Sequence, residues 1–411
     1  MKIYKKVTSI FLFGLPLLLS AQNLPSLLTN KNINSTFSIL AYDKNAEEWG
    51  VAVATDNIYV GNSTIFIEPS LGAFSVIAET EPDYAMKGFE YLREGKTIEE
   101  SIKKVKQNDT ESNYRQVSGI DSNGNVFAFT GESLKYWNGN ASHKMGKYYV
   151  VMGNQLDDKV LDRMATTFEN TNGTLAQRLL KSITAGQDAG GQITGKQSAA
   201  LAVKGKNNEW YNQIDLRVDN SKQPFDELQT LMNYHYGRIR LNQARYAFKR
   251  GNTEMAAQKL TEAESMLSGW TGIYSKIALT NILIGSKDKA VHWIKKGVDE
   301  NPNWKVNLPA FYFMKENQEL NNLIKPETFT SKDWENAIAI LISVDRNIEA
   351  IELCNDLFKK NIKTTYLYYL IGKAYYNIDK LKKATNNLEK AVAIDEKNVE
   401  ARNLLTEVKS N

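Results

Sequence analysis

Between Ser35 and about Asn220, apolar residues either alternate with polar ones or run unbroken over short stretches, the two patterns left by half-buried and fully buried strands. TFSILAYD and WGVAVAT are two such stretches, joined by the polar KNAEE, and GIDSNGNVFAFTG predicts a hairpin that turns at Asn123-Gly124. The period then changes. EPDYAMKGFEYLREGKTIEESIKKVKQ spaces its apolar residues for helices and places Glu99 and Glu100 ahead of a run of lysines, the order a helix dipole favours. DKVLDRMATTFENTNGTLAQRLLKSITAG predicts two more helices, broken at Asn172-Gly173, after which SAALAVK and EWYNQIDLRVD return to strand character. Strands, helices and strands again predict a layered domain with helices on its outer faces.

After Pro224 the strand pattern disappears and a repeat replaces it. In ARYAFKRGNTEMAAQKLTEA, IALTNILIGSKDKAVHWIKKG, IAILISVDRNIEAIELCNDL and IGKAYYNIDKLKKATNNLEKA, Ala256 and Ala290 stand 34 residues apart, as do Ala350 and Ala384. The last unit, with Tyr368, Ile371, Gly372, Tyr375, Ala384, Leu388 and Ala391 at the helix-packing positions, resembles the tetratricopeptide repeat, and so does the second, with Tyr274, Ala290, Ile294 and Pro302. In the third, Cys354 takes the place of a large core residue and is expected to pack, not to react. VNLPAFYFMKENQELNNLIKPETFT interrupts the register, and an irregular helix pair is expected there. Each helix pair hides an apolar face only against its neighbours, so an all-α solenoid is expected. Its groove implies a peptide or protein partner; packing on the first domain or self-association as a homo-oligomer stays open.

Composition and motifs remove several functions. GGQITGKQSAA (190–200) has the glycine and Lys196 spacing of a phosphate loop, but Gln197 stands where Ser or Thr should be, and a helix precedes it while a strand follows. A phosphate loop requires the reverse order. Residues 1–21 carry Lys2, Lys5 and Lys6 ahead of IFLFGLPLLL and end in Ser20-Ala21, the layout of a secretory signal peptide with cleavage expected after Ala21. A periplasmic or secreted protein with no stable membrane span after signal removal is therefore expected. Loss of the three lysines lowers the net charge from +4 to about +1, too balanced to imply a nucleic-acid partner. One cysteine excludes an internal disulfide, and His143, His235 and His292 are too scattered for a metal site. No cofactor is expected.

A run of motifs identifies the first domain: TFSILAYD, GVAVAT, LGAF, YLREGKT, VFAFTG, MGNQL, GKQSAAL and DLRVD, in that order, resemble the domain of unknown function 1028 family over 36–228. That family is similar to N-terminal-nucleophile hydrolases. The resemblance implies an α+β fold class: a four-layer αββα domain, preceded by a signal peptide (1–21) and leader (22–35) and followed by a tetratricopeptide-like solenoid (229–411). It also implies that Thr36, first in the first strand, is a nucleophile whose freed amine serves as its base. GVAVATDN is similar to a proteasome β-subunit pattern in which the aspartate, here Asp56, supports that amine; STIFIEPS, which follows, holds no lysine. Before Thr36 can act, the leader QNLPSLLTNKNINS must be removed, and self-processing at Ser35-Thr36 would do so.

Further candidates come from the residues themselves. Asn154 follows a strand and Gly153, so its amide can form part of an oxyanion site or an ordinary turn. Asp215, Arg217 and Asp219 alternate along one stretch and point to one face, as a polar substrate site or an ion-pair ladder. Gln197 and Ser198 stand at a loop-to-strand junction that suits a pocket wall or a turn. His143, in the polar NGNASHKMGK, is expected to be a solvated loop residue. Two functions remain: an extracytoplasmic amidohydrolase acting on a peptide or cell-wall-derived amide, or a non-catalytic ligand- or protein-binding module on the same fold.

Overall fold

The computed structural model describes residues 35–410; the expected signal peptide and all of the leader except Ser35 lie outside the described residues. The chain divides into two compact units, the second beginning at Met232.

The first unit starts with a hairpin. β1 (Thr36–Asp43) and β2 (Glu48–Thr55) pair antiparallel from Asp43 opposite Glu48 to Thr36 opposite Thr55. Their turn is set by the Asp43 carboxylate, which accepts the backbone N–H groups of Asn45 and Ala46 at 2.9 and 3.2 Å. β3 (Ile65–Glu68) and β4 (Gly72–Ala78) follow, then α1 (Asp83–Arg93) and α2 (Ile98–Lys106). Thr97 and Glu100 form a capping box at the start of α2, satisfying donors that a helix N-terminus leaves open. β5 (Arg115–Asp121) and β6 (Val126–Thr130) form the hairpin expected at Asn123-Gly124, with Gly124 at φ +82°. β7 (Asn140–Gly146), β8 (Tyr149–Leu156), α3 (Val160–Asn170), α4 (Leu175–Asp188), β9 (Ser198–Gly205) and β10 (Ile214–Val218) complete the unit.

Two antiparallel sheets result, one in the order β10-β9-β2-β1-β8-β7 and one in the order β3-β4-β5-β6. Leu40, Trp49, Val51, Ala73 and Ile120 fill the space between them. Helices α1 and α2 cover the outer face of the smaller sheet through Phe74, Tyr84, Phe89, Ile98 and Ile102. Helix α4 lies so close on the larger sheet that a Cβ at Gly50 would collide with Leu179. Burial on both faces explains why β1 and β2 read as continuous apolar runs, and each fully buried large side chain contributes about 1.5–3 kcal/mol. This is the expected four-layer αββα arrangement.

The division between the units falls within α5 (Pro224–Lys249). The second unit is helical: α6 (Thr253–Leu267), α7 (Tyr274–Leu283), α8 (Lys287–Glu300), α9 (Ser331–Ser343), α10 (Asn347–Lys359), α11 (Thr365–Asn377), α12 (Leu381–Ile394) and α13 (Val399–Ser410). Three-residue turns join α5 to α6, α7 to α8, α9 to α10 and α11 to α12. Their central residues, Gly251, Gly285, Asp345 and Asp379, all adopt left-handed conformations, at φ +77°, +86°, +62° and +57°. The period read from the alanines is thus also the period of the turns. Ala256, Ala290, Ala350 and Ala384 are fully buried, so a small side chain sits wherever paired helices approach closely. Cys354 is fully buried as well, and burial pushes its thiol up to about 12. The segment expected to be an irregular helix pair is irregular 3-10 helix over Pro302–Met314, kinked at Phe311 and with Pro309 removing a backbone donor inside it, followed by turns and a short 3-10 helix at Pro326–Thr328. Trp304, Phe311, Leu320 and Ile324 bury it in the same core as α7 and α8. Among the described residues no helix is long and apolar enough to cross a membrane.

Candidate functional site

Strand register assembles the site. Asn154 on β8, Thr36 on β1, Thr55 on β2 and Ser198 on β9 are successive cross-strand partners, so they form one polar row at one end of the larger sheet. Opposed residues point to the same face, and here it is the face toward the second sheet: Ser38, two residues after Thr36, meets Ser75 of β4 at 3.0 Å. Thr36 is 8% exposed; Ser35, Asn154 and Ser198 are fully buried.

The carbonyl oxygen of Ser35 is the focus of this corner. It accepts the Thr55 hydroxyl at 2.7 Å, the Gln192 side-chain amide at 2.6 Å and the Asp56 backbone N–H at 3.4 Å. Thr36 Oγ1 lies 3.0 Å from Thr55 Oγ1, and because the Thr55 proton is directed to Ser35, the Thr36 hydroxyl donates in that pair. Ser35 Oγ lies 2.9 Å from Thr194 Oγ1, whose hydroxyl in turn reaches the Asp56 carboxylate. Burial raises the pKa of Asp56, and the hydrogen bond from Thr194 offsets only part of that shift.

Behind Thr36 a chain of side chains fixes its nitrogen. The Thr36 N–H donates to Asn154 Oδ1 at 3.2 Å, Asn154 Nδ2 donates to Gln116 Oε1 at 2.9 Å, and Gln116 Nε2 donates to Thr130 Oγ1 at 3.1 Å. Thr130 Oγ1 ends the chain 2.9 Å from His143 Nδ1. Gln116 also donates to the Gly153 carbonyl at 2.8 Å, tying the two sheets together beside the site. A Cβ at Gly153 would press on Phe37 Cβ at 2.7 Å and on the Thr36 carbonyl at 3.0 Å, so the strand beside Thr36 needs glycine. Three polar atoms here, Asp56 Oδ1, Gln192 Oε1 and Ser198 Oγ, are buried without a hydrogen-bond partner among the described residues. Such atoms cost about 1–3 kcal/mol each, and all three lie at the same end of the larger sheet as Thr36.

The structure thus brings Thr36, Asp56, Asn154 and Ser198 together and separates the rest. Gln197 turns its side chain to Asn220 at 2.7 Å and contributes only its backbone N–H, to the Thr55 carbonyl at 2.9 Å. Asp215 and Arg217 pair at 3.1 Å on the edge strand β10, both largely exposed. With β2 and β9 between them and β1, they stand about 14 Å from the Thr36 strand. Asp219 lies past β10, which ends at Val218, and so is not on the strand expected for it. His143 differs too: it is half-buried in strand β7, and burial lowers its pKa. The polar letters around it belong to an edge strand with one face open to solvent. Thr55 was legible in principle, since pairing Asp43 with Glu48 places Thr55 opposite Thr36. Gln116, Thr130 and Gln192 carried no local signal; they arrive from 80 or more residues beyond Thr36 along the chain.

A profile of the Family of unknown function (DUF1028) matches residues 36–228. The crystal structure of a Silicibacter pomeroyi protein of that family is 28% identical, covering 48% of this chain and 84% of that one at a TM-score of 0.44. MamA from Desulfovibrio magneticus RS-1 is similar at 17% identity over 42% of this chain and 84% of its own, with a TM-score of 0.20. The first tetratricopeptide domain of the human RPAP3 protein is similar at 18% identity over 34% of this chain and 90% of its own, with a TM-score of 0.21. No curated protein matches the chain.

Proposed function

We propose that this chain, with a DUF1028 domain over 36–228 ahead of tetratricopeptide-like repeats, is an extracytoplasmic amidohydrolase whose nucleophile, Thr36, is released by cleavage of the Ser35-Thr36 bond. The observation that carries this reading is the convergence of three donors on the Ser35 carbonyl, with the Thr36 hydroxyl hydrogen-bonded to one of them. Donors fixed where negative charge develops are the main source of rate enhancement in acyl transfer.

In the first step Thr36 Oγ1 attacks the Ser35 carbonyl carbon. A C–O bond forms as the Thr36 hydroxyl proton moves to Thr55 Oγ1 and the proton of Thr55 moves to the former carbonyl oxygen, where Gln192 and the Asp56 N–H hold the developing charge. The C–N bond then breaks, the nitrogen takes the proton, and Ser35 is left as an ester on Thr36. Water hydrolyses that ester, leaving a Ser35 carboxylate on the leader and a free Thr36 amine and hydroxyl. With the leader gone, the same donors face an incoming amide. The Thr36 amine, oriented by Asn154, accepts the hydroxyl proton and passes it to the leaving amine. Asp56, whose pKa burial raises, stands beside both events. A peptide or cell-wall-derived amide fits the extracytoplasmic location argued from residues 1–21.

The test follows the chain without any substrate. Wild-type protein purified with its leader should lose it on incubation, Thr36→Ser should do the same, and Thr36→Ala should stay whole. Equal leader loss in Thr36→Ala would assign the cut to another protease and sink the self-processing step. A second reading, a non-catalytic binding module, draws support from the burial of Thr36 and its complete set of hydrogen bonds in the uncut chain.

A further inference from the structure

The second unit contains a cavity of about 1030 Å³, at the upper end of the range for small-ligand sites and large enough for several side chains. It opens where α5, α7 and α9 end. Its wall includes the half-buried apolar side chains Phe248, Leu283 and Phe313, and Arg245, Lys249 and Lys287 stand at its rim.

The charges are not explained by the fold alone. Lys249 closes α5, where a cation suits the negative end of the helix dipole. Lys287 is the first residue of α8, where that dipole opposes a cation, so its position does not serve the helix. Neither these two nor Arg245 has an ion-pair partner among the described residues. The acids at the cavity are already engaged: Asp345 accepts the Asn347 side-chain amide at 2.7 Å, and Glu316 lies 3.9 Å from Lys315. Arg346, over the Phe313 ring, is committed to Glu349. The turns that follow the three helices satisfy their penultimate carbonyls, Phe248 by Gly251 N–H at 2.9 Å, Ile282 by Gly285 N–H at 3.1 Å and Ile342 by Asp345 N–H at 3.1 Å. What remains is an apolar wall under three cations without an ion-pair partner, against the single charge of Asp345, whose bonded amide is neutral.

We propose that this cavity binds an acidic peptide segment with interspersed apolar side chains, the apolar groups against Phe248, Leu283 and Phe313 and the carboxylates at Arg245, Lys249 and Lys287. The proposal rests on reading the repeats as a partner-binding surface and is independent of any chemistry at Thr36. A wall contributed by three successive repeats suits an extended chain, because contacts repeat along it as the turns do.

The test uses the full chain and a fluorescein-labelled decapeptide of alternating phenylalanine and glutamate, with a glutamine-for-glutamate counterpart. Fluorescence anisotropy should saturate with the acidic probe, weaken as salt rises, and be much smaller with the neutral one. Combined Arg245→Glu, Lys249→Glu and Lys287→Glu, all at exposed positions, should weaken binding about tenfold or more. Combined Lys360→Glu, Lys382→Glu and Lys397→Glu, the same charge change elsewhere on the unit, should not. Equal binding of the neutral probe, equal loss in both triple variants, or no saturation would overturn the proposal. So would a concentration-dependent dimer that the rim variant abolishes, which would assign the cavity to a second copy, or displacement of the peptide by oleate at equal concentration, which would assign it to an anionic lipid. Leader loss, measured in parallel on the same variants, keeps failure here distinct from failure of the amidase reading.

Discussion

The Thr36 corner and the repeat turns are built by opposite means. In the corner, Ser35, Thr55, Asn154 and Gln192 meet through strand register and sheet stacking, with 118 residues separating Thr36 from Asn154 and 157 separating Ser35 from Gln192. In the repeats, a left-handed conformation recurs at the centre of the turn between the two helices of each pair, at Gly251, Gly285, Asp345 and Asp379. Long-range assembly makes the corner sensitive to single polar changes that leave the repeats untouched. Local assembly makes the repeats sensitive to packing changes that leave the corner untouched.

That contrast is open to attack, beginning with its largest expected effect. Gln192→Leu removes one of three donors on the Ser35 carbonyl and should slow leader loss by roughly 10²–10³-fold, read by intact mass against time, while the melting of the repeats stays as it was. A cleavage rate near that of the wild type would mean the donors only hold the strand. Leu388→Ala empties a fully buried position between paired helices and should cost about 2–5 kcal/mol in denaturant unfolding with no change in cleavage rate. Slower cleavage in that variant would show the two regions to be coupled.

A smaller effect concerns pH. Burial lowers the folded-state pKa of His143 below its ordinary 6.5, so its neutral form is favoured by folding. The stability it contributes is fully present above 6.5 and is lost as pH falls through the lowered value. With its proton on Nε2, neutral His143 accepts from Thr130 through Nδ1; protonated, it would donate there and turn the Thr130 hydroxyl away. Melting temperature should therefore fall on acidification, and His143→Leu should flatten that dependence; an unchanged slope would remove His143 from the chain behind Thr36. The smallest change is expected for Asp379→Gly, which relieves a left-handed backbone at φ +57° and should stabilise the repeats by at most about 1 kcal/mol.

The same contrast explains what the amino-acid sequence discloses. Ala256, Ala290, Ala350 and Ala384 reveal the repeats because a local architecture writes its period into the chain. The β1–β2 hairpin and the turn at Asn123-Gly124 are legible for the same reason. Asn154 is found from its place after Gly153, and Thr36 from the family resemblance carried by TFSILAYD and the motifs after it. The group formed by Gln192, Gln116 and Thr130 is not legible, since no spacing along the chain links a β5 glutamine to a β8 asparagine across two sheets. Asp215 and Arg217 show the converse: alternation correctly puts them on one face, and register makes it the face of Thr36, but the strand order β10-β9-β2-β1 sets them three strands away from it.

The central claim is that Thr36 becomes the first residue of the working protein. Intact mass and N-terminal sequencing of the chain recovered from its native compartment test it most directly. A chain that begins at Thr36, with Thr36→Ala retaining the residues before it, is the predicted result. A wild-type chain that keeps Ser35 joined to Thr36 would contradict the account, because its nucleophile would have no free amine.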